Sequence, residues 1–244
     1  MKFSVLQWNI WYKEDLLKVA EFIKSTKADV ICLQELSIDN PDQTVKDGVR
    51  HIAEKLGYYI QKCEISIDAS EMKLANAIFS KYPIKNSRNV WINKPTGSGH
   101  YDDEYRAYVE AELDIDGNTV TVGTVHMSYT NAFKPTGRKL EETKSLISAI
   151  QNNKSSFILT GDFNAKPDSE VIESISELLE NAGPNSKENT WTTKPFSYDG
   201  FEANTLDLRF DYIFSTCDLV VKQIEVLKTE LSDHLPILAE FELQ

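Results

Sequence analysis

The chain has little from which to build a disulfide framework. Its three cysteines, Cys32, Cys63 and Cys217, are widely spaced and odd in number. That pattern argues against paired bridges and against a thiolate zinc site, and Cys32, inside an apolar run, reads as structural. No stretch approaches the roughly 20 apolar residues of a membrane-spanning helix, so no integral membrane segment is expected. No apolar signal core follows the first lysine, and a cytoplasmic location is expected. Low-complexity tracts, long linkers and charge blocks are also missing, which leads to the expectation of a single catalytic domain over residues 1–244. A hydrophobic content of 41% and a charged content of 26% are globular values. The length is sufficient for one large α/β domain with a substantial core.

Positive charge is the scarcity with functional meaning. There are 26 basic side chains against 38 acidic ones, a net charge of −12. Proteins that grip long nucleic acid through its phosphates normally present a basic face, so the balance disfavours a non-specific duplex nuclease. Two small basic clusters remain, Lys81, Lys85 and Arg88, and Lys134, Arg138 and Lys139. Each is read as a solvated face.

What is present is a series of strand-like runs that end on polar side chains. Phe3-Ser4-Val5-Leu6-Gln7-Trp8-Asn9 ends on an amide, and Val30-Ile31-Cys32-Leu33-Gln34-Glu35 ends on a carboxylate. Val120 to His126 alternates in the manner of a strand and ends on an imidazole, and Ser155 to Leu159 leads into Gly161-Asp162-Phe163-Asn164. Near the C-terminus stands Ser232-Asp233-His234-Leu235-Pro236. One such ending is an ordinary turn; four in sequence order are hard to explain by folding needs alone. The order also repeats. The run ending at Asn9 is followed by a helical pattern (Leu16, Val19, Ala20, Ile23), and the run ending at His126 by another (Leu140, Thr143, Ile147, Ile150). A strand–helix–strand unit returns both strands in one direction, so each unit would present its polar residues at one edge. Two units packed sheet on sheet would pool those residues in one cleft, and carboxylates pooled with imidazoles point to a metal-assisted hydrolase.

With Asn76-Ala77-Ile78-Phe79-Ser80 and Arg209-Phe210-Asp211-Tyr212-Ile213-Phe214 added, the set resembles the endonuclease/exonuclease/phosphatase superfamily. That superfamily includes pancreatic deoxyribonuclease, exonuclease III, neutral sphingomyelinases and inositol polyphosphate 5-phosphatases. The resemblance runs from residue 7 to about residue 237. It implies a four-layered α/β sandwich, with two mixed sheets packed face to face and helices outside. It also implies phosphoester hydrolysis with Mg2+ or Mn2+, hard cations that prefer oxygen ligands. By that resemblance Glu35, with Asn9 and Asp233, would hold the metal. Asp162 would orient or deprotonate the attacking water, Asn164 would donate a hydrogen bond to the nucleophile or phosphate, and His126 would contact the phosphate. His234 needs a partner to fix its tautomer, and Asp211 resembles the residue that supplies one. Asn76 and Arg106 resemble residues that bind phosphate or brace the site.

Other histidines look uninvolved or peripheral. His51 falls on the polar side of a helical pattern (Val45, Val49, Ile52, Leu56), and His100 and Tyr101 fall in a Gly-rich segment read as a loop near substrate. Asn9 is followed by Ile10-Trp11-Tyr12, and Asp211 is approached through Thr205-Leu206-Asp207-Leu208-Arg209-Phe210. Both depart from the pattern of abasic-site nucleases and count against DNA repair. The aromatic stretch Thr190 to Tyr198 is either a substrate wall, for a base, an inositol ring or a lipid headgroup, or core packing. The expected function is a divalent-metal-dependent phosphodiesterase acting on nucleic acid or a phosphorylated small molecule. The competing readings are a phosphomonoesterase or phospholipase C-type enzyme and, outside catalysis, a binding protein that kept the fold.

Overall fold

Both strand–helix–strand units form. A computed structural model of the chain describes residues 1–66, 72–97, 103–153, 156–184, 187–198 and 200–244; His100, Tyr101 and Ser155 lie outside them. In the first unit β1 (Lys2–Asn9) leads to α1 (Leu16–Thr26), whose first turn is capped by Asp15 accepting from the Leu17 amide at 3.0 Å. The helix buries the predicted Leu16, Val19, Ala20 and Ile23, and β2 (Val30–Ile38) returns parallel to β1 with Asn9 opposite Gln34. The shorter α2 (Gly48–Leu56) begins only after Asp47, which caps it, so Val45 lies before the helix. β3 (Tyr59–Ser66) and β4 (Lys73–Ser80) complete this half.

The second unit follows β5 (Ile84–Asn93) and β6 (Arg106–Ile115). β7 (Asn118–His126), α3 (Gly137–Ile150) and β8 (Phe157–Asp162) again set two strands parallel, with His126 opposite Asp162. The chain continues through α4 (Glu170–Ser176), β9 (Glu180–Gly183), β10 (Phe196–Tyr198) and β11 (Phe201–Ala203), then β12 (Asp211–Ser215), β13 (Leu219–Val226) and β14 (Ile237–Leu243). One six-stranded sheet runs β13-β14-β1-β2-β4-β3 and the other β5-β6-β7-β8-β12-β9, with β10 and β11 as a separate hairpin.

The inner faces of the two sheets meet through Val5, Val30 and Ile78 on one side and Val109, Val122 and Ile158 on the other. Each such aliphatic side chain contributes roughly 1.5–3 kcal/mol by leaving water. α1 and α2 cover the outer face of the first sheet, and α3 and α4 that of the second. The result is the expected four-layered sandwich. Cys32 is buried between the sheets, and burial pushes its thiol up to about 12, consistent with an inert structural residue.

α3 departs from its predicted face. It buries Lys139, Glu142, Thr143, Leu146 and Ile150, while Leu140 and Ile147 are only half-buried. Lys139 was expected on a solvated surface and is 2% exposed. The reason is polar: its Nζ donates to the carbonyls of Ser128 (2.6 Å) and Phe163 (2.8 Å), and Glu142 accepts from the Ser128 amide at 3.0 Å. One helix turn thereby ties together the loops that leave β7 and β8. The remaining basic side chains of these clusters are mostly neutralised, Lys81 by Asp29, Lys85 by Asp114, Arg88 by Glu110 and Arg138 by Asp103.

Candidate active site

Strand direction sets the site. Because β1 and β2 run parallel, as do β7 and β8, Asn9, Glu35, His126 and Asp162 all emerge at the same edge of the facing sheets. Two backbone devices refine this. β2 carries a bulge between Leu33 and Leu36 against β4, and Glu35 within it takes φ 60°; such a bulge re-aims a side chain. Gly161 has φ 156°, and a Cβ there would lie 2.2 Å from the Val125 carbonyl oxygen, so only glycine lets β8 pass β7 this closely.

Asp162 lies at the centre. Asn9 Nδ2 donates to both Asp162 Oδ2 and Glu35 Oε1, each at 3.0 Å. His126 Nε2 lies 3.5 Å from Asp162 Oδ2 and 3.9 Å from Glu35 Oε1. His234 Nε2 lies 3.6 Å from Asp162 Oδ2, while its Nδ1 pairs with Asp211 Oδ2 at 2.8 Å. That last contact is the expected orienting pair, made between β12 and the loop before β14. The Asn164 backbone amide donates to Asp162 Oδ1 at 2.9 Å and its Nδ2 to the Met127 carbonyl at 2.9 Å. A side-chain amide has two hydrogens, so one remains for a ligand.

Burial dominates the electrostatics. It raises Glu35 to about 7, with the Asp233 carboxylate adding to the effect, and raises Asp162 to about 6. It also holds His126 well below 6.5, helped by the Arg106 guanidinium. For His234 burial acts the same way but is outweighed by Asp211, Asp162 and Asp233, which lift it well above 6.5. The two imidazoles therefore differ in charge near neutral pH, His126 neutral and His234 cationic.

Acidic oxygens crowded without enough positive charge suit a hard divalent cation. Asp162, Asp211 and His234 offer donor atoms within 4.8 Å of one another. Two of these groups already bond to each other, so that trio reads as an orienting relay rather than a cage. Asp233 is close enough to Glu35 to raise its carboxyl further. Asn9 lies beside Glu35: its Oδ1 accepts from the Trp11 amide at 3.1 Å and its NH2 faces Glu35 and Asp162. It acts here as a spacer between carboxylates. Asn76 donates to the Ala107 carbonyl at 3.2 Å and so ties β4 to β6. Arg106 pairs with Glu104 through Nε at 2.9 Å and faces the cleft. His51 is half-buried on α2, away from the site.

The cleft above this cluster encloses about 540 Å3, and its lining includes Glu35, Arg106, His126, Asp162, Asn164, Asp233 and His234. A second cavity of about 290 Å3, lined by Ile65, Leu74 and Tyr105, shares Tyr12, Glu35, Glu104, Arg106 and His126 with the first. Both cavities therefore adjoin the cluster.

A family model described as the endonuclease/exonuclease/phosphatase family matches residues 6–234. The chain belongs to that family. Its members are generally phosphoester hydrolases. Comparison with curated proteins found no match. Among solved structures, an endonuclease/exonuclease/phosphatase family protein from Bacteroides thetaiotaomicron superposes with a TM-score of 0.75 at 16% identity, covering 100% of this chain and 98% of that one. A mannosyl-6-phosphatase from the same organism gives 0.72 at 16% identity, over 99% and 100% of the two chains. The human Nocturnin catalytic domain with bound sulfate gives 0.71 at 19% identity, over 100% and 94%. At these identities the likeness establishes the fold that family members share.

Several contributors had no role assigned from sequence. Gln7 and Gln34 exchange amide hydrogen bonds of 2.5 and 3.0 Å beneath the cluster, and Gln34 also donates to Thr124 at 2.8 Å. Ser232 Oγ donates to the Asn9 carbonyl at 2.7 Å, and Trp8 Nε1 to the His234 carbonyl at 2.9 Å. These bonds fasten the last loop to β1. The available signal was a glutamine inside each of two apolar runs, two residues before Asn9 and one before Glu35.

Proposed function

We propose that the protein is a divalent-metal-dependent phosphodiesterase that attacks phosphorus in line with a water molecule. The observation that carries this reading is the convergence of Glu35, Asp162, His126 and the Asp211–His234 pair around one point. Glu35 and Asp233 would hold Mg2+ or Mn2+, with Asn9 beside them. When bound, such a cation polarises the phosphate and offsets the developing negative charge. Asp162, with its carboxyl raised to about 6, orients the water and takes its proton. Neutral His126 donates to a phosphate oxygen, and cationic His234, fixed by Asp211, balances charge on the opposite side. Asn164 contributes its remaining amide hydrogen, and Arg106 faces the phosphate from β6. Two cavities adjoining the cluster support a diester over a monoester, since each offers room for one ester substituent.

A second reading, a phosphomonoesterase on a small molecule, draws support from the similarly folded mannosyl-6-phosphatase. The test is hydrolysis of bis-p-nitrophenyl phosphate alongside nucleic acids, inositol phosphates and sphingomyelin, with Mg2+, Mn2+ or chelator. Turnover that needs the metal and disappears in Glu35→Ala is expected. Undiminished turnover in chelator would overturn the metal role, and no turnover of any phosphoester would overturn the hydrolase reading.

A further inference from the structure

The aromatic stretch that the sequence left open forms a continuous wall running from the cleft mouth to the catalytic cluster. Trp191 is buried and sits at the inner end. Its indole Nε1 donates to Asp233 Oδ2 at 3.0 Å, and its ring centroid lies 6.2 Å from that of His234. Its backbone is pinned on both sides. The Trp191 amide donates to the Leu208 carbonyl at 2.9 Å, and the Leu235 amide donates to the Thr190 carbonyl at 2.8 Å. From Trp191 the wall passes to Phe196 at 5.0 Å, and through Phe133 to Tyr129 at 5.2 and 5.1 Å. It ends at Tyr198, 5.6 Å from Tyr129 and 48% exposed. Phe196 and Tyr198 belong to the β10–β11 hairpin, in which they pair with Ala203 and Phe201. Core packing explains Trp191 and Phe133, which are nearly inaccessible. Phe196 packs only partly against that core and Tyr198 is exposed, and both line the cleft that holds His126, Asp162 and His234.

Building on the phosphoester reading, we infer that this wall is a ring-binding subsite whose occupant is the planar base of a nucleotide-like ester, with Phe196 and Tyr198 as the residues that select it. Aromatic side chains bind flat rings through their faces with little dependence on the ring's substituents. The charges lining the cleft point the same way. Its lysine and arginine are Lys13 and Arg106, and Arg106 is already paired to Glu104. Glu35, Glu104, Asp162 and Asp233 supply carboxylates to the same lining. Beyond His234 and a bound metal, which would serve the scissile phosphate, the described lining offers few cations to a ligand bearing several phosphates, such as a polyphosphorylated inositol. One phosphate joined to an uncharged flat ring matches both the wall and the charge.

The test is calorimetric titration of Asp162→Asn protein with Mg2+ present, so that bound ligand is not consumed. The probes are thymidine 5′-phosphate, glucose 6-phosphate and glycerol 3-phosphate, which present a planar ring, a saturated ring and no ring. The parent protein with Ca2+ in place of Mg2+ supplies the same comparison if Asp162→Asn does not fold. Thymidine 5′-phosphate should bind about tenfold more tightly than the other two, a stacking-sized effect. Tyr198→Ala and Phe196→Ala should erase that advantage without weakening glycerol 3-phosphate. Equal affinity for the three probes, or a uniform loss in Tyr198→Ala, overturns the ring subsite. Turnover by the parent without ring preference sinks the subsite and leaves the hydrolase standing. Ring preference in a parent that hydrolyses nothing does the reverse.

Discussion

Replacing Glu35 by glutamine should make the metal-free protein more stable. The side chain is 16% exposed, and burial together with the Asp233 carboxylate raises its carboxyl from 4.5 to about 7. A folded-state value above the unfolded one means that the favourable contribution is fully present below pH 4.5 and is lost as pH rises through about 7. By pH 8 the ionised side chain then costs about 3 kcal/mol, at about 1.4 kcal/mol for each tenfold change in proton affinity. Glutamine has nearly the same shape, keeps an oxygen for the Asn9 Nδ2 bond and carries no charge at any pH. In chelator at pH 8, Glu35→Gln should therefore melt about 6–12 °C above the parent, since 1 kcal/mol moves a chain of this size by about 2–4 °C. At pH 5, where most of the parent carboxyl is protonated in the fold, the gap should shrink below about 1 kcal/mol.

Magnesium should reverse the order. A ligand at about 1,000 times its dissociation constant stabilises by about 4.1 kcal/mol, more than the gap of about 3 kcal/mol, and this gain is available to the parent and lost in the variant. Scanning calorimetry at pH 5 and pH 8, with EDTA or with excess Mg2+, reads all four conditions. A variant less stable than the parent in EDTA at pH 8 would show that Glu35 is not an electrostatically strained carboxylate. Equal stabilisation of both proteins by Mg2+ would show that it holds no metal.

Further outcomes follow from the same geometry. Asp211→Asn and His234→Ala should each lower kcat by roughly two orders of magnitude or more and add little when combined, because they act as one pair; full additivity in steady-state kinetics would break the pair. His126→Ala should lose a comparable factor while His51→Ala behaves as the parent, and near-normal turnover of the first would remove His126 from the site. In pH-rate profiles, kcat/KM should rise through about pH 6 as Asp162 loses its proton and fall above His234's ordinary range as that imidazole loses its charge; a profile flat from pH 5 to 9 would contradict both roles. Lys139→Met should destabilise by about 3–5 kcal/mol in urea titration, because it leaves Glu142 buried without its partner charge. Long duplex DNA should be cleaved poorly, and efficient, steeply salt-dependent nicking of plasmid would demand a basic groove that the neutralised clusters do not provide.

The candidate site was legible because it rests on two simple regularities. An apolar run that stops on a polar residue marks a strand end, and a helix between two such runs makes the strands parallel. Asn9, Glu35, His126 and Asp162 meet for those reasons, with Asn9 opposite Gln34 and His126 opposite Asp162 in register. Asp211 and His234 required the family resemblance, because nothing in their spacing brings β12 and the final loop together. Residue type alone does not say which end of the Asn9 amide faces a carboxylate; here the NH2 does.

The illegible part lies where polar groups serve the interior. A lysine three residues before a glutamate on a helix has the same spacing whether it faces water or the core. Lys139 and Glu142 face inward because the carbonyls of Ser128 and Phe163 and the amide of Ser128 need partners once the β7 and β8 loops are buried. The same need explains Gln7 and Gln34. Four strand ends carrying polar groups cannot converge between two apolar sheets unless amides beneath them satisfy one another. The position of Glu35 depends on a bulge and a left-handed backbone at a non-glycine residue, a conformation that no local pattern announces. Strain at that residue and repulsion between it and Asp233 act together, so the folded chain holds its carboxylate where a cation would relieve it.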